Sequence, residues 1–131
     1  MASTPNFAAT ALAPDVIQIS TANTNRDGTG TVGTLVTGTT AGTVIENITI
    51  KATDTTTAGC IRFFISTDSG TSKRLIAEIV VNAITPGASA ATFVSEVPQL
   101  SGLVLVGTSS LLYASTHNAE TFNVIAEKSG L

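Results

Sequence analysis

The stretch CIRFFISTDSGTSKRLIAEIVV, Cys60 to Val81, decides the fold. Its two ends alternate. Ile61, Phe63 and Ile65 fall on one face, with Arg62 and Ser66 on the other; further on, Leu75, Ala77, Ile79 and Val81 oppose Arg74 and Glu78. A period of two marks a half-buried strand, because successive side chains point to opposite faces. Between the two ends sits TDSGTS, a run of turn-forming residues. The stretch therefore reads as two strands, 60–67 and 74–81, joined by a polar turn.

The same grammar extends outward. Strands are expected at 16–22, 31–37, 44–52, 91–97, 103–106, 111–116 and 121–127, separated by clusters of Gly, Pro, Asn, Asp and Ser. Val44, Ile48 and Ile50 share a face on which Glu46 is a misfit, and Phe122, Val124 and Ala126 oppose Asn123. The unbroken LVLV at Leu103 to Val106 reads as buried on both faces. No crossover helix is visible, so the sheets should be antiparallel. Eight or nine short strands at a spacing of roughly 8–12 residues suit a sandwich. The expected fold is all-β, an antiparallel β-sandwich of jelly-roll type with about eight strands. An immunoglobulin-like sandwich fits less well, since the chain has one Cys and no Trp.

Composition agrees. The 131 residues fit one domain, and 43% are hydrophobic while 11% are charged, well under the usual ~25%. About 23 are threonine, a stiff β-branched residue that suits a pleated surface. The net charge is −3, and of six cations only Lys73 and Arg74 are adjacent. That excludes the dense basic surface nucleic-acid binding requires. No apolar run approaches the ~18 residues of a membrane helix. Cys60 is alone, so neither an intrachain disulfide nor a cysteine-based zinc site is expected.

The first 14 residues differ in character. They are rich in Ala, Ser, Thr and Pro, with Phe7 and Leu12 the only large apolar groups after Met1. They read as an extended arm that either frays or lies on a neighbouring subunit, with the sandwich domain at 15–131.

Chemistry is sparse. In NTNRDGTGT, Asn23 to Thr31, the alternating Asn23, Asn25 and Asp27 before Gly28 resemble the opening of a calcium loop. The twelfth position is Thr34 rather than Glu, and the flanks read as strands. The three are weak metal candidates. The stronger reading is a hairpin connection, in which Asp27–Gly28 reverses the chain so that the first two strands can pair. His117, the one histidine, has Ser115 and Glu120 nearby, but triads draw their members from separate elements. A loop histidine bonded to backbone is the expectation, with no catalytic residue and no cofactor. Phe64, Ile76 and Val80 point opposite the apolar faces of their strands. They mark either a second buried face or, with Phe7 and Leu12, a subunit interface.

Three segments, ISTANTNRDGTGT, IKATDTTTAGCIRFFIS and LYASTHNAETFNVIAE, together with size and Thr-rich β pattern, resemble small head proteins of tailed bacteriophages, namely the jelly-roll decoration (cement) proteins that bind the capsid exterior. The resemblance covers most of 15–127. It implies a non-enzymatic virion protein, assembled in the bacterial host cytoplasm, whose partners are the major capsid protein and itself, a homotrimer ahead of a homodimer. It implies no nucleic-acid or membrane partner. The competing readings are a receptor- or glycan-binding tip of a phage tail fibre and a small β-domain hydrolase.

Overall fold

The computed structural model describes residues 10–131. Ten strands follow in order: β1 (Thr10–Ala11), β2 (Asp15–Ile19), β3 (Gly33–Thr37), β4 (Thr43–Ala52), β5 (Gly59–Ser66), β6 (Arg74–Val81), β7 (Val94–Glu96), β8 (Val104–Leu105), β9 (Leu111–Thr116) and β10 (Phe122–Gly130). They form two antiparallel sheets. In the first, β10 lies between β2 and β4, β1 continues the β2 edge, and β7 and β8 share the far edge of β4. In the second the order is β3-β9-β5-β6. The orders 2-10-4-7 and 3-9-5-6 send most successive strands to alternate sheets, which is the interleaved double Greek key of a jelly roll.

The core lies between the sheets. Ile48, Ile50, Phe122 and Val124 of the first sheet meet Val36, Ile61, Phe63 and Leu112 of the second, all essentially without exposed surface. Each such side chain contributes roughly 1.5–3 kcal/mol through removal from water. Phe93 meets Phe122 edge-on, with centroids 6.4 Å apart and planes at 89°, the arrangement favoured by the ring quadrupoles.

Four local expectations change. On β4 the inward residue before the break is Ile45, not Val44. Glu127 pairs with Asn47 and Lys128 with Ile45, so Glu46 is the extra residue of a β-bulge. A bulge shifts the side-chain phase by one, which explains the misfit. A second bulge on β6 sets Phe64 opposite Leu75 and Phe63 opposite Ala77, so Ile76 is unpaired and Leu75 leaves the inward row. LVLV is not buried on both faces: Leu105 is buried, whereas Val104 and Val106 are exposed. It lies on a sheet rim, where only one side has a partner layer. Finally, β2 and β3 occupy different sheets and do not pair, so the segment between them is a crossing loop, not a hairpin turn.

Of the arm, Thr10–Ala11 pairs with Gly130 and Ser129 of β10, and Leu12 is half-buried beside Gly130. This part of the arm lies on its own domain.

Candidate functional site

The second sheet has a buried outer face. Along β5 the outward residues are Arg62, Phe64 and Ser66, and all three are buried; Arg62 and Phe64 have 0% exposure. Tyr113 and Ser115 of β9, paired with Phe64 and Arg62, are buried with them. Neither Phe64 nor Tyr113 belongs to the core between the sheets.

The β2–β3 loop lies over the Arg62 end of this face, and Gly70 and Lys73 of the β5–β6 turn lie over Tyr113. Ala22 bridges to Thr116 of β9, the Asn23 carbonyl accepts from Arg62 of β5, Arg26 reaches Glu78 of β6, and Gly28 packs on Lys73 of the β5–β6 turn. The loop thus crosses three strands. Asn23 organises it from within. Its Nδ2 donates to the carbonyls of Thr29 and Thr31 at 3.0 and 2.8 Å, and its Oδ1 accepts from the Asn25 backbone N–H. Asp27 Oδ1 accepts from both the Thr29 N–H and hydroxyl. The three metal candidates are therefore engaged in a closed set of local bonds. No group of three or more His, Cys, Asp or Glu side chains able to hold a metal occurs among the described residues.

Gly28 has φ +87°, and an added Cβ would lie 2.5 Å from the Lys73 carbonyl oxygen. Gly28→Ala is therefore expected to cost about 2 kcal/mol or more, from left-handed strain plus the clash. Gly102 has the same φ but open space around it. Gly102→Ala should cost only the strain, roughly 1 kcal/mol. Equal losses in urea titrations of the two variants would contradict the packed loop tip.

Arg62 is the centre of the covered face. Its Nε donates to Glu78 Oε2 at 3.0 Å, its Nη1 to the Asn23 carbonyl at 3.1 Å, and its Nη2 lies 3.1 Å from His117 Nδ1. Glu78 Oε2 also accepts from Arg26 Nε at 2.7 Å. The Arg26 hydrogen bond, aided by Arg62, holds the Glu78 carboxyl below its usual range. Burial pushes the Cys60 thiol up, which favours the unreactive protonated form. His117 is anchored by its own backbone N–H to the Cys60 carbonyl at 2.9 Å; its ring partner, Arg62, was not anticipated from sequence. Ser115, His117 and Glu120 do not form a relay. The Ser115 hydroxyl has no hydrogen-bond partner among the described residues, and Glu120 Oε2 is held by Thr57.

The β5–β6 turn is built on Asp68. Its carboxylate accepts from the Ser72 backbone N–H and the Ser66 hydroxyl, which hold it below the usual range. Thr29 does the same for Asp27. Lower values in the folded chain mean that it binds fewer protons than the unfolded chain, so stability from Asp27, Asp68 and Glu78 is complete above the unfolded values, near 4. It is lost as pH falls through the folded values. The melting temperature should decline in this acid limb, and Asp68→Asn should shrink the decline. An unchanged limb would contradict this assignment.

The expected interface residues separate. Phe7 lies outside the described residues. Leu12 packs on its own domain, and Phe64 is wholly covered within the chain, so it is not a surface group. Ile76 and Val80 stand out on β6, 37% and 72% exposed. β6 is the edge of its sheet, and no strand pairs with its outer side among the described residues. Val16 and Val94, on β2 and β7, are exposed as well.

No known protein family and no curated protein matches the chain. Among solved structures it is similar to a chain of the T13 IBDV viral particle, with 11% identity over 97% of this chain and a TM-score of 0.32. It is also similar to a chain of infectious bursal disease virus Gt strain, with 12% identity over 98% and a TM-score of 0.33. It spans about a third of the length of those chains, 35% and 34%.

Proposed function

We propose that the chain is a virion structural protein that binds the outside of a phage capsid and stabilises the lattice of the major capsid protein. The observation that carries the reading is the exposure of Ile76 and Val80 on the unpaired edge strand β6. An apolar strand edge invites association with another chain unless it is blunted. Exposed apolar patches usually mark contacts. The likeness of the three quoted segments to phage decoration proteins supports the same reading. Its mechanism is additive. Each copy binds only the assembled lattice and so stabilises it by mass action, and a multimer engages several sites at once. The reading assigns no chemistry to His117, whose ring is committed to Arg62.

A polar groove favours the tail-fibre alternative. Asp27, Thr29, Thr71, Ser72, Lys73 and Arg74 line an opening between the β2–β3 loop and the β5–β6 turn, a surface of the kind that meets sugars. The two readings part on one experiment. Purified protein is added to capsids of the encoding virus assembled without it. Wild type should bind and resist washing, and Ile76→Asp with Val80→Asp should abolish retention. Retention by the double variant, or no binding by wild type, would overturn the proposal.

A further inference from the structure

We propose that the seam where the chain crosses between the two sheets is a hydration site anchored by Ser115. A cavity of about 120 Å³ lies there, between the end of β2, the start of β3 and β9. Ser20 and Thr21 line it from the β2 side, Thr31 and Val32 from the β3 side, and Ser115 and Thr116 from β9. Ile19 and Gly33 close its apolar side. The packing there is tight, since a Cβ added to Gly33 would lie 3.2 Å from Ile19 Cγ2.

Ser115 is 2% exposed, and its Oγ has no hydrogen-bond partner among the described residues. A buried hydroxyl left unpaired loses the hydrogen bonds it makes in water, so such groups in folded chains pair with protein or with ordered water. The protein groups around Ser115 are already engaged. Arg62, its neighbour across the strand pair, donates to Glu78 and the Asn23 carbonyl and meets His117. The Thr116 hydroxyl donates to the Asn118 carbonyl, and the Thr116 carbonyl accepts from the Asn23 N–H. Of the two hydroxyl residues that β9 contributes to the wall, Ser115 alone keeps its hydroxyl uncommitted.

The lining selects the ligand. None of the residues around the cavity carries a charge, and an ion moved there from water would lose its hydration without gaining a counter-charge. The volume is well below the roughly 300 Å³ at which sites for drug-sized molecules begin. It does suffice for a few waters at roughly 30 Å³ each, and a buried water makes about two to four hydrogen bonds. Ser115 Oγ supplies one. The others come from the segments just beyond the ladders. Ser20 and Thr21 follow the last β2 pair, Ile19 with Phe122, and Thr31 precedes the first β3 pair, Gly33 with Ala114. The Thr31 carbonyl accepts from Asn23 Nδ2 at 2.8 Å and keeps a second lone pair. The β2–β3 loop leaves the sandwich at Thr21 and returns at Thr31, so water on Ser115 ties both ends of the loop to β9. The site stands whether or not the chain binds a capsid.

The test is Ser115→Ala in the whole chain, read by urea unfolding and by oxygen-17 relaxation dispersion. The second method counts long-lived waters and does not see exchanging hydroxyl protons. Removing a hydroxyl that has no partner would leave stability unchanged or raise it. Removing one that holds water should lower the folding equilibrium constant on the order of fivefold. Wild type should also hold at least one more long-lived water than the variant. Unchanged or raised stability of Ser115→Ala, or equal water counts, would overturn the site. A wild-type count of zero would overturn it without any variant.

Discussion

Arg62→Met is expected to destabilise the fold by on the order of 3 kcal/mol, seen as a lower urea midpoint at unchanged slope. Methionine matches much of the volume, so the loss is not chiefly a cavity. It comes from acceptors left behind. The Asn23 carbonyl takes its hydrogen bond from Arg62 in a buried setting and the half-buried His117 ring meets Arg62 beside it, and a buried orphan acceptor costs about 1–3 kcal/mol. Glu78 is less affected, because it keeps Arg26 and is 35% exposed at its side chain. Opposing this, methionine avoids the desolvation of a buried guanidinium, and that recovered term keeps the net loss from reaching the sum of its parts. Arg26→Ala removes an exposed ion pair, and should cost far less than Arg62→Met. If the Arg62 and Arg26 variants lose equal stability, the covered face is not organised by Arg62.

Phe64→Ala should cost about 3–5 kcal/mol, as large as a core truncation. Phe64 sits on the outer face of its sheet yet has no exposed surface. Its burial is therefore a property of the folded chain alone, not of a partner. Val80→Ala, two strands' width from β9 on the same sheet but 72% exposed, should fall within about 0.5 kcal/mol. The contrast separates a residue that holds the monomer together from one free to meet another chain. A Phe64→Ala loss under about 1 kcal/mol would mean that the face is open in solution.

The pattern of strands was legible because it is local. Each expected strand overlaps an observed one, and the residues of β6 and β9 coincide with expectation. The jelly-roll frame followed from strand number, spacing and the lack of crossover helices. What escaped depends on distant partners. The β4 bulge is specified by pairing across to Glu127 and Lys128, and only Glu46 on an apolar face hinted at it. β1 consists of two residues whose strand character comes entirely from Gly130 and Ser129.

The candidate site was less legible for the same reason. Period-two reading places Arg62, Phe64 and Ser66 together on one face, but cannot say what lies over it. Over Arg62 the cover is the loop from Asn23, more than thirty positions upstream, and over Tyr113 it is the β5–β6 turn. The loop's Asn-rich pattern looked like metal chemistry because both uses need oxygen and amide groups at short spacing. The structure spends those groups on the loop's own backbone. The signal that pointed elsewhere was Arg62 itself: a lone arginine in an apolar strand, far from other charges in sequence, needs buried acceptors from other elements.

The most direct test of the proposed role is an image reconstruction of particles from the encoding virus. The chain is expected on the outer capsid surface, in a copy number comparable to that of the major capsid protein, with Ile76 and Val80 facing a neighbouring chain. A few copies confined to the tail, or β6 directed to solvent in every copy, would contradict the account.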